Sequence, residues 1–134
     1  YDAGININEA DLAKLPEAFR NKVRMYSPRL RESRKIILNS KIKLGFGSDI
    51  VALHQNYESW IEYASWLNSG ADPFRALKAA TSVNAEILRQ PDLGVLAVGK
   101  LADIAAWKRD LLTDPQALSE CAFVMKDGNI YNTA

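Results

Sequence analysis

The stretch of sequence that decides the fold is "IKLGFGSDIVALH", residues 42–54. In residues 42–47 large apolar side chains occupy the even positions, whereas lysine and glycine occupy the odd ones. This period of two predicts a β-strand. A carboxylate, Asp49, follows the strand, and the only histidine of the chain, His54, comes five residues later. The strand and its polar end raise the question of whether Asp49 is catalytic or caps a loop.

A long amphipathic helix is predicted before this strand. Asn8 is placed to cap a first helical turn, and Pro16 forces a restart. Apolar side chains then recur at helical spacing over residues 19–37, with charged residues between them. Because proline disfavours helical geometry in the residue before it, we expect a kink at Pro28 or a restart capped by Ser27.

Three more helices are predicted after the strand. The first carries apolar residues over 57–67, and Gly70 is a natural left-handed stop for it. Asp72 followed by proline is typical of the start of the next helix. Thr81 is placed to cap a further helix, which ends near residues 90–91. This part of the chain is therefore predicted to be helical.

The last third of the chain is predicted to be rich in β-structure. Short apolar runs at 95–98, 104–107 and 123–125 are separated by glycine, aspartate and proline. The pair Asp127-Gly128 is a strong hairpin signal. Asp114-Pro115 is expected to begin one short helical turn between the strands.

Together these elements predict an α/β protein in two parts. A strand between two amphipathic helices is the pattern of one repeat of a parallel sheet, and the chain supplies a single repeat. A lone parallel strand leaves its backbone polar groups without partners, so we expect residues 1–91 to be the last part of a barrel or doubly wound domain. Residues 92–134 are expected to form, or complete, a separate small sheet.

The parity of the strand also orients Asp49. If Leu44 and Phe46 pack against outer helices, the odd positions face the axis of a barrel. Asp49 then lies at the carboxyl end of the strand and points inward, where barrel enzymes place catalytic groups. Geometry alone does not separate this interpretation from a carboxylate that caps the loop.

Composition and charge exclude several function classes. The chain has 134 residues, 48% apolar and 25% charged, which is typical of a globular domain. Its net charge of +1 and dispersed basic residues do not indicate nucleic-acid binding. No apolar run has the length of a membrane span. The single cysteine, Cys121, cannot form an intramolecular disulfide, so a cytoplasmic location is expected.

Two glycine motifs resemble nucleotide-binding loops without fitting them. Residues 94–100 match the start of a phosphate-binding loop, but Leu101 stands where a hydroxyl should hold magnesium. The context also fails, since a predicted strand at 104–107 follows where a helix is required. The motif at 45–47 lacks the third glycine of a dinucleotide fingerprint, because Ile50 takes that place. No nucleotide is therefore expected.

Four segments of the chain resemble a known superfamily. They are "IKLGFGSD", "GADPFRALKAATSVNAEIL", "DLGVLAVGKLADIAAW" and "FVMKDGNIY", at residues 42–49, 70–88, 92–107 and 123–131. Their order and spacing resemble the C-terminal part of the amidohydrolase superfamily, in the group of imidazolonepropionase, Xaa-Pro dipeptidases and basic-residue carboxypeptidases. The resemblance implies a (β/α)8 TIM-type barrel whose eighth strand precedes Asp49, followed by the C-terminal strands of a small β-sandwich.

The resemblance also implies a metal-dependent hydrolase of carbon–nitrogen bonds in small substrates. Asp49 would contact a divalent metal, expected to be zinc, and act as general base and acid. The histidine ligands of the family have no counterpart in this chain, whose only histidine is His54. Because a zinc site takes three or four protein ligands, Asp49 and His54 alone cannot form one. Their absence predicts that the missing N-terminal part of the barrel is a partner and that the isolated chain is inactive.

Several alternatives stay open at this stage. His54 is either a substrate contact or a loop histidine, and it is a poor candidate for a metal ligand. The aromatic residues Trp60, Tyr63 and Trp66 are expected to be core, as is Trp107. The competing function is a noncatalytic module for folding, association or protein binding. Exposed barrel-facing surface predicts a homo-oligomer or other association of the isolated chain.

Overall fold

The computed structural model describes residues 7–48, 58 and 60–133, which form helices followed by a small sheet. In chain order the elements are α1 Glu9–Ala13, α2 Glu17–Asn39, α3 Trp60–Asn68, α4 Pro73–Lys78, a π-helical turn Ala79–Val83, α5 Asn84–Ile87, β1 Ile104–Trp107, a 3-10 helix Pro115–Ser119, β2 Cys121–Lys126 and β3 Asn129–Thr133. Helices and strands both occur, as predicted, but the described residues form no parallel barrel repeat, and their sheet is antiparallel. No helix among these residues is both long and apolar enough to cross a membrane.

The N-terminal helices begin as predicted, but α2 does not restart. The Asn8 Oδ1 accepts the backbone N–H of Asp11 at 2.9 Å, which confirms the cap of α1. Helix α2 runs unbroken for 23 residues with Pro28 inside it, so the predicted restart at Ser27 is wrong. Ser27 and Leu12 are buried where α1 meets α2. Packing of this kind stabilises a helix beyond its local propensity, which explains the continuity.

The helices after the segment at 42–48 confirm the predictions at Gly70 and Asp72 and contradict the prediction at Thr81. Gly70 has φ +92° and ends α3 as expected. The Asp72 side chain caps α4 by accepting the backbone N–H of Arg75 at 2.8 Å. Thr81, however, caps no helix, because it lies inside the π-helical turn and its Oγ1 donates to the Leu77 carbonyl at 2.8 Å. The helical stretch therefore continues from α4 through α5.

A three-stranded antiparallel sheet in the order β1-β2-β3 confirms most of the β prediction. The hairpin between β2 and β3 turns at Asp127 and Gly128, whose φ angles are +49° and +77°. Two successive positive φ angles match the right-handed twist of the strands. Asp114 begins the 3-10 helix as expected, since its carboxylate accepts the backbone N–H of Gln116 at 3.0 Å.

The predicted strand at residues 95–98 is wrong. These residues form a loop between Gly94 and Gly99, which both have positive φ. The backbone N–H of Leu101 donates to the Asp92 carbonyl at 2.9 Å and closes the loop. Apolar composition alone does not make a strand where the backbone turns back on itself.

The segment at residues 42–48 keeps the alternation predicted from sequence but is not a strand in the structure. From residue 43 onward the odd positions are exposed and the even ones, Leu44, Phe46 and Ser48, are partly buried. Within the described parts of the chain no strand pairs with this segment. The physical reason is that a strand is defined by ladder hydrogen bonds, which need a neighbour.

Acid should loosen the hairpin through Asp103, which precedes β1. Its carboxylate accepts hydrogen bonds from Lys126 Nζ and, at 2.8 Å, from the backbone N–H of Asp127. The Lys126 bond, followed by the backbone bond, lowers the pKa of Asp103. A lowered pKa stabilises the folded state above the unfolded value of about 3.9, and this contribution is lost as pH falls through the folded pKa.

Amide exchange of the β2–β3 hairpin measured across the acid range checks this expectation. Protection should fall as Asp103 takes up a proton, and the Asp103→Asn variant should lack that pH dependence. An identical acid profile in the variant and the parent protein would contradict the assignment to Asp103.

Candidate functional site

The two residues predicted to form the site, Asp49 and His54, lie outside the described residues. Their roles therefore stay predictions. The structure describes the chain up to Ser48, the residue immediately before Asp49, together with the helices that hold this segment. The segment at residues 42–48 and these helices form the scaffold of the candidate site.

The side chain of Asn84 binds both backbone polar groups of Phe46, its N–H and its carbonyl. The backbone N–H of Phe46 donates to Asn84 Oδ1 at 2.9 Å, and Asn84 Nδ2 donates to the Phe46 carbonyl at 2.7 Å. Opposing residues of an antiparallel ladder exchange the same pair of bonds. Asn84 thus supplies to this segment what a neighbouring strand would supply.

Gly45 allows this approach. A Cβ atom at Gly45 would lie 2.6 Å from Asn84 Oδ1 and 3.0 Å from Ile87 Cδ1. Both distances are shorter than ordinary van der Waals contact, so a side chain here would push the Asn84 amide away. The glycine that the sequence places at an odd strand position therefore serves close packing against α5.

The π-helical turn that precedes Asn84 is held by a second glycine. A Cβ atom at Gly94 would lie 2.8 Å from Ala85 Cβ, and 2.9 Å from both Ser82 Cα and the Thr81 carbonyl. The loop at residues 92–95 therefore packs directly on the turn. Single π turns inside helices are frequent at functional sites, because the extra residue changes which side chains face a neighbour.

The other side of the segment packs on α3. The rings of Phe46 and Trp66 lie 5.2 Å apart between centroids. Tyr63 is buried, and its hydroxyl donates to the Leu111 carbonyl at 2.9 Å. Burial raises the pKa of Tyr63, so it stays a neutral hydrogen-bond donor. The predicted core role of the α3 aromatic residues is confirmed for Tyr63.

A cavity of about 460 Å³ lies between α3, the π-helical turn and the segment before the 3-10 helix. Its lining is almost wholly apolar and consists of Phe46, Trp60, Tyr63, Leu77, Ala80, Thr81, Trp107, Leu111 and Leu118. Trp107, which the sequence placed in the core of the small β-sandwich, lines this cavity together with residues of α3 and the π-helical turn. Its Nε1 donates to the Leu118 carbonyl at 3.2 Å.

A buried ion pair joins α2 to α3 beside this site. Arg34 Nη2 lies 3.6 Å from Glu62 Oε1, and their side chains are only 11% and 4% exposed. Glu62 also accepts the Trp66 Nε1–H at 2.7 Å, while Arg34 donates to Ser65 Oγ at 2.5 Å. Because the Trp66 ring contacts the Phe46 ring in a tilted arrangement, the ion pair stabilises the helix surface on which the segment packs.

The start of the segment is anchored by charged side chains. Arg75 donates to the Leu38 carbonyl, at the end of α2, and to the Ile42 carbonyl at 3.1 Å. Lys43 pairs with Glu86 of α5. Carbonyls at the end of a helix lack partners inside the helix, and a guanidinium group is well suited to bind them.

Metal ligands are scarce in the described part of the chain. No group of three or more His, Cys, Asp or Glu side chains there is placed to hold a metal ion. The whole sequence has one histidine, whereas zinc takes three or four protein ligands. The described residues therefore do not by themselves fit a zinc site.

The segment at residues 94–100, which matches the start of a phosphate-binding loop in sequence, is the loop described above. Lys100 Nζ donates to the Pro91 carbonyl at 2.6 Å, and Gly99 has φ +84°. The element that follows is the strand β1, where a phosphate-binding loop requires a helix.

Comparison with known proteins now identifies the family. The profile of the amidohydrolase family matches residues 5–134. The chain belongs to the amidohydrolase family. The superfamily resemblance found in the sequence is thereby confirmed.

Solved amidohydrolases share the fold of this chain. An Xaa-Pro dipeptidase with methionine bound in its active site is 30% identical and has a TM-score of 0.77, over 88% of this chain and 29% of its own. A prolidase complexed with N-methylphosphonate-L-proline is 28% identical with a TM-score of 0.73, over 100% of this chain and 33% of its own. A putative prolidase from Bifidobacterium longum, 24% identical over 95% of this chain and 33% of its own, has a TM-score of 0.79.

This amidohydrolase chain thus spans about a third of the length of the solved structures that it matches. No curated protein matches it.

Two parts of the scaffold, the Asn84 amide and the ion pair of Arg34 with Glu62, were not predicted from the sequence. In the sequence Asn84 was noted only as part of the segment at residues 70–88 that resembles the superfamily. Because asparagine is a weak helix former, its presence in an alanine-rich helical stretch could have indicated a specific role for its side chain. The pairing of Arg34 with Glu62 joins residues far apart in the chain, and no local pattern predicts such a contact.

Proposed function

We propose that this chain contributes one part of the active site of a metal-dependent amidohydrolase that cleaves carbon–nitrogen bonds in small peptides. The observation that carries the proposal is the family match over residues 5–134. The likeness to an Xaa-Pro dipeptidase and a prolidase supports dipeptides as the substrate class. The anchored segment that leads into Asp49 supports a site at this place in the fold.

In this proposal Asp49 is the general base and acid, and it also contacts the metal. When bound, a divalent metal such as zinc would lower the pKa of water, so that hydroxide is available to attack an amide near neutral pH. The Asp49 carboxylate would accept the proton that water loses during the attack. It would then deliver that proton to the leaving amine nitrogen, so that the amine departs neutral. His54 is proposed as a substrate contact at the rim of the site.

The remaining ligands are proposed to come from residues outside these 134, on other strands of a (β/α)8 barrel whose eighth strand precedes Asp49. The exposed apolar side chains on α2 support such a partner surface, among them Phe19, Met25, Leu30 and Ile36. Unpartnered apolar surface of this kind favours association of the chain with itself or with the rest of the barrel. A cytoplasmic location is part of the same proposal.

One experiment tests the function directly. The protein that contains this chain, and the 134 residues alone, are each analysed for bound zinc, for hydrolysis of Xaa-Pro dipeptides and for mass by light scattering. We expect zinc and turnover only in the former, and association of the latter. Stoichiometric zinc with turnover by the 134 residues alone would overturn the proposal that the site is completed from outside. Zinc-loaded protein that hydrolyses no dipeptide would overturn the substrate class.

Replacing Asp49 by asparagine should lower kcat at least about 100-fold, because positioned general acid–base groups contribute about 10²–10⁴ to the rate. The neighbouring Ser48→Ala variant is the control, and it should retain activity within a few fold of the parent. Equal losses in both variants would argue against a special role for Asp49. Retention of full activity in Asp49→Asn would exclude it as the proton carrier.

A further inference from the structure

We propose that Asn84 is a positioning residue of this site: by clamping the backbone of Phe46 it sets the direction in which the segment at 43–48 leads into Asp49. The inference rests on the proposed function, because Asp49 carries chemistry only there. Asn84 touches no reacting group in this scheme and acts through the backbone of Phe46.

The clamp constrains orientation as well as position. Its bonds, at 2.9 Å to the N–H and 2.7 Å to the carbonyl of Phe46, join the two ends of one planar amide to two groups of the main chain. A single hydrogen bond would leave the backbone free to rotate about it. A pair of bonds from a rigid amide removes that freedom.

The segment needs such a constraint because of its composition. Gly45 and Gly47 flank Phe46, and glycine has more backbone freedom than any other residue. No ladder holds these residues within the described parts of the chain. The side-chain contact of Phe46 with Trp66 holds one face, and the Asn84 amide holds the backbone edge.

Asn84 is itself held rigidly. It is the first residue of α5, directly after the π-helical turn, and it is partly buried. The loop containing Gly94 packs against the turn so closely that a Cβ atom at Gly94 would lie 2.9 Å from Ser82 Cα. On the other side Gly45 lets the amide approach the segment. The clamp therefore passes the rigidity of a packed helix to the residues just before Asp49.

The test compares Asn84→Ala, Asn84→Asp and the control Asn39→Ala in the zinc-loaded protein. Asn39 also uses its amide to bind a backbone carbonyl, that of Lys35 at 2.8 Å, but on the opposite flank of the segment. Loss of a hydrogen bond worth about 1 kcal/mol should speed exchange of the Phe46 amide by about fivefold in Asn84→Ala. Asn84→Asp keeps the acceptor for that amide but sets a carboxylate oxygen against the Phe46 carbonyl oxygen, so exchange should be faster than in the parent protein here as well.

Kinetics on Xaa-Pro dipeptides separate positioning from mere stability. A small displacement of a catalytic group costs up to about 100-fold in rate, so kcat of Asn84→Ala should fall about 10- to 100-fold while KM changes less than about twofold. The kcat of Asn84→Asp should also fall below that of the parent protein, and Asn39→Ala should match the parent. Urea unfolding of each variant verifies that all are folded under assay conditions.

Three results would overturn the inference in different ways. Unchanged exchange at Phe46 in both Asn84 variants would show that another group, such as a neighbouring strand, holds this backbone. Faster exchange with unchanged kcat would leave Asn84 a structural residue only. If zinc-loaded parent protein hydrolyses no dipeptide, the proposed function falls and the catalytic part of the inference falls with it, whereas the exchange data still report on the clamp.

Discussion

Replacing Arg34 by methionine is expected to lower the free energy of unfolding by about 3–5 kcal/mol, because it removes one partner of a buried ion pair. The Glu62 carboxylate, 4% exposed, would then lose the guanidinium that lies 3.6 Å from its Oε1 while staying in a poorly solvated place. Methionine keeps much of the apolar stem of arginine, so the loss reports mainly on charge. Urea unfolding measures the change.

Two further variants sharpen this measurement. The double variant Arg34→Met with Glu62→Gln should recover part of the lost stability, since no uncompensated charge is left and a glutamine oxygen can still accept the Trp66 bond. The exposed pair of Arg24 and Glu9, with side chains 57% and 76% exposed, is the matched control. Arg24→Met should cost at most about 1 kcal/mol. A similarly small cost for Arg34→Met would contradict the buried-pair interpretation.

Replacing Gly94 by alanine is expected to cost about 2–5 kcal/mol and to disturb the π-helical turn. The φ of +83° alone costs an L-residue about 1–2 kcal/mol. The new Cβ would also lie 2.8–2.9 Å from Ala85, Ser82 and Thr81, two of these contacts being to backbone atoms that cannot swing aside. Overpacking of this kind adds about 1–3 kcal/mol.

Gly99→Ala separates the two causes. Gly99 has nearly the same φ, +84°, but nothing lies within 4 Å of its Cβ position. It should therefore show the conformational cost alone and leave the turn intact. Urea unfolding gives the stabilities, and amide exchange over residues 79–85 reports on the turn. Equal effects of the two substitutions would mean that the loop does not pack on the turn as described.

The local elements of this protein were predictable where short-range chemistry decides them. The caps at Asn8 and Asp72, the stop at Gly70 and the hairpin at residues 127–128 all follow from one or two residues acting on their own backbone. The Thr81 cap was wrong because packing of residue 94 and of the 43–48 segment favours a continuous helical stretch with a π turn.

The sequence by itself determined the family, most of the helices, the hairpin near the end of the chain and the alternation of residues 43–48, because these depend on side-chain type and spacing along the chain. Only the tertiary structure decided which group holds Phe46, why Gly45 and Gly94 must lack side chains, and that Arg34 meets Glu62. These are contacts between residues 28 to 39 positions apart or across packed backbones, where steric fit and burial decide the outcome. The candidate role of Asp49 was inferred from the sequence, whereas its proposed support by Asn84 could be inferred only from the tertiary structure.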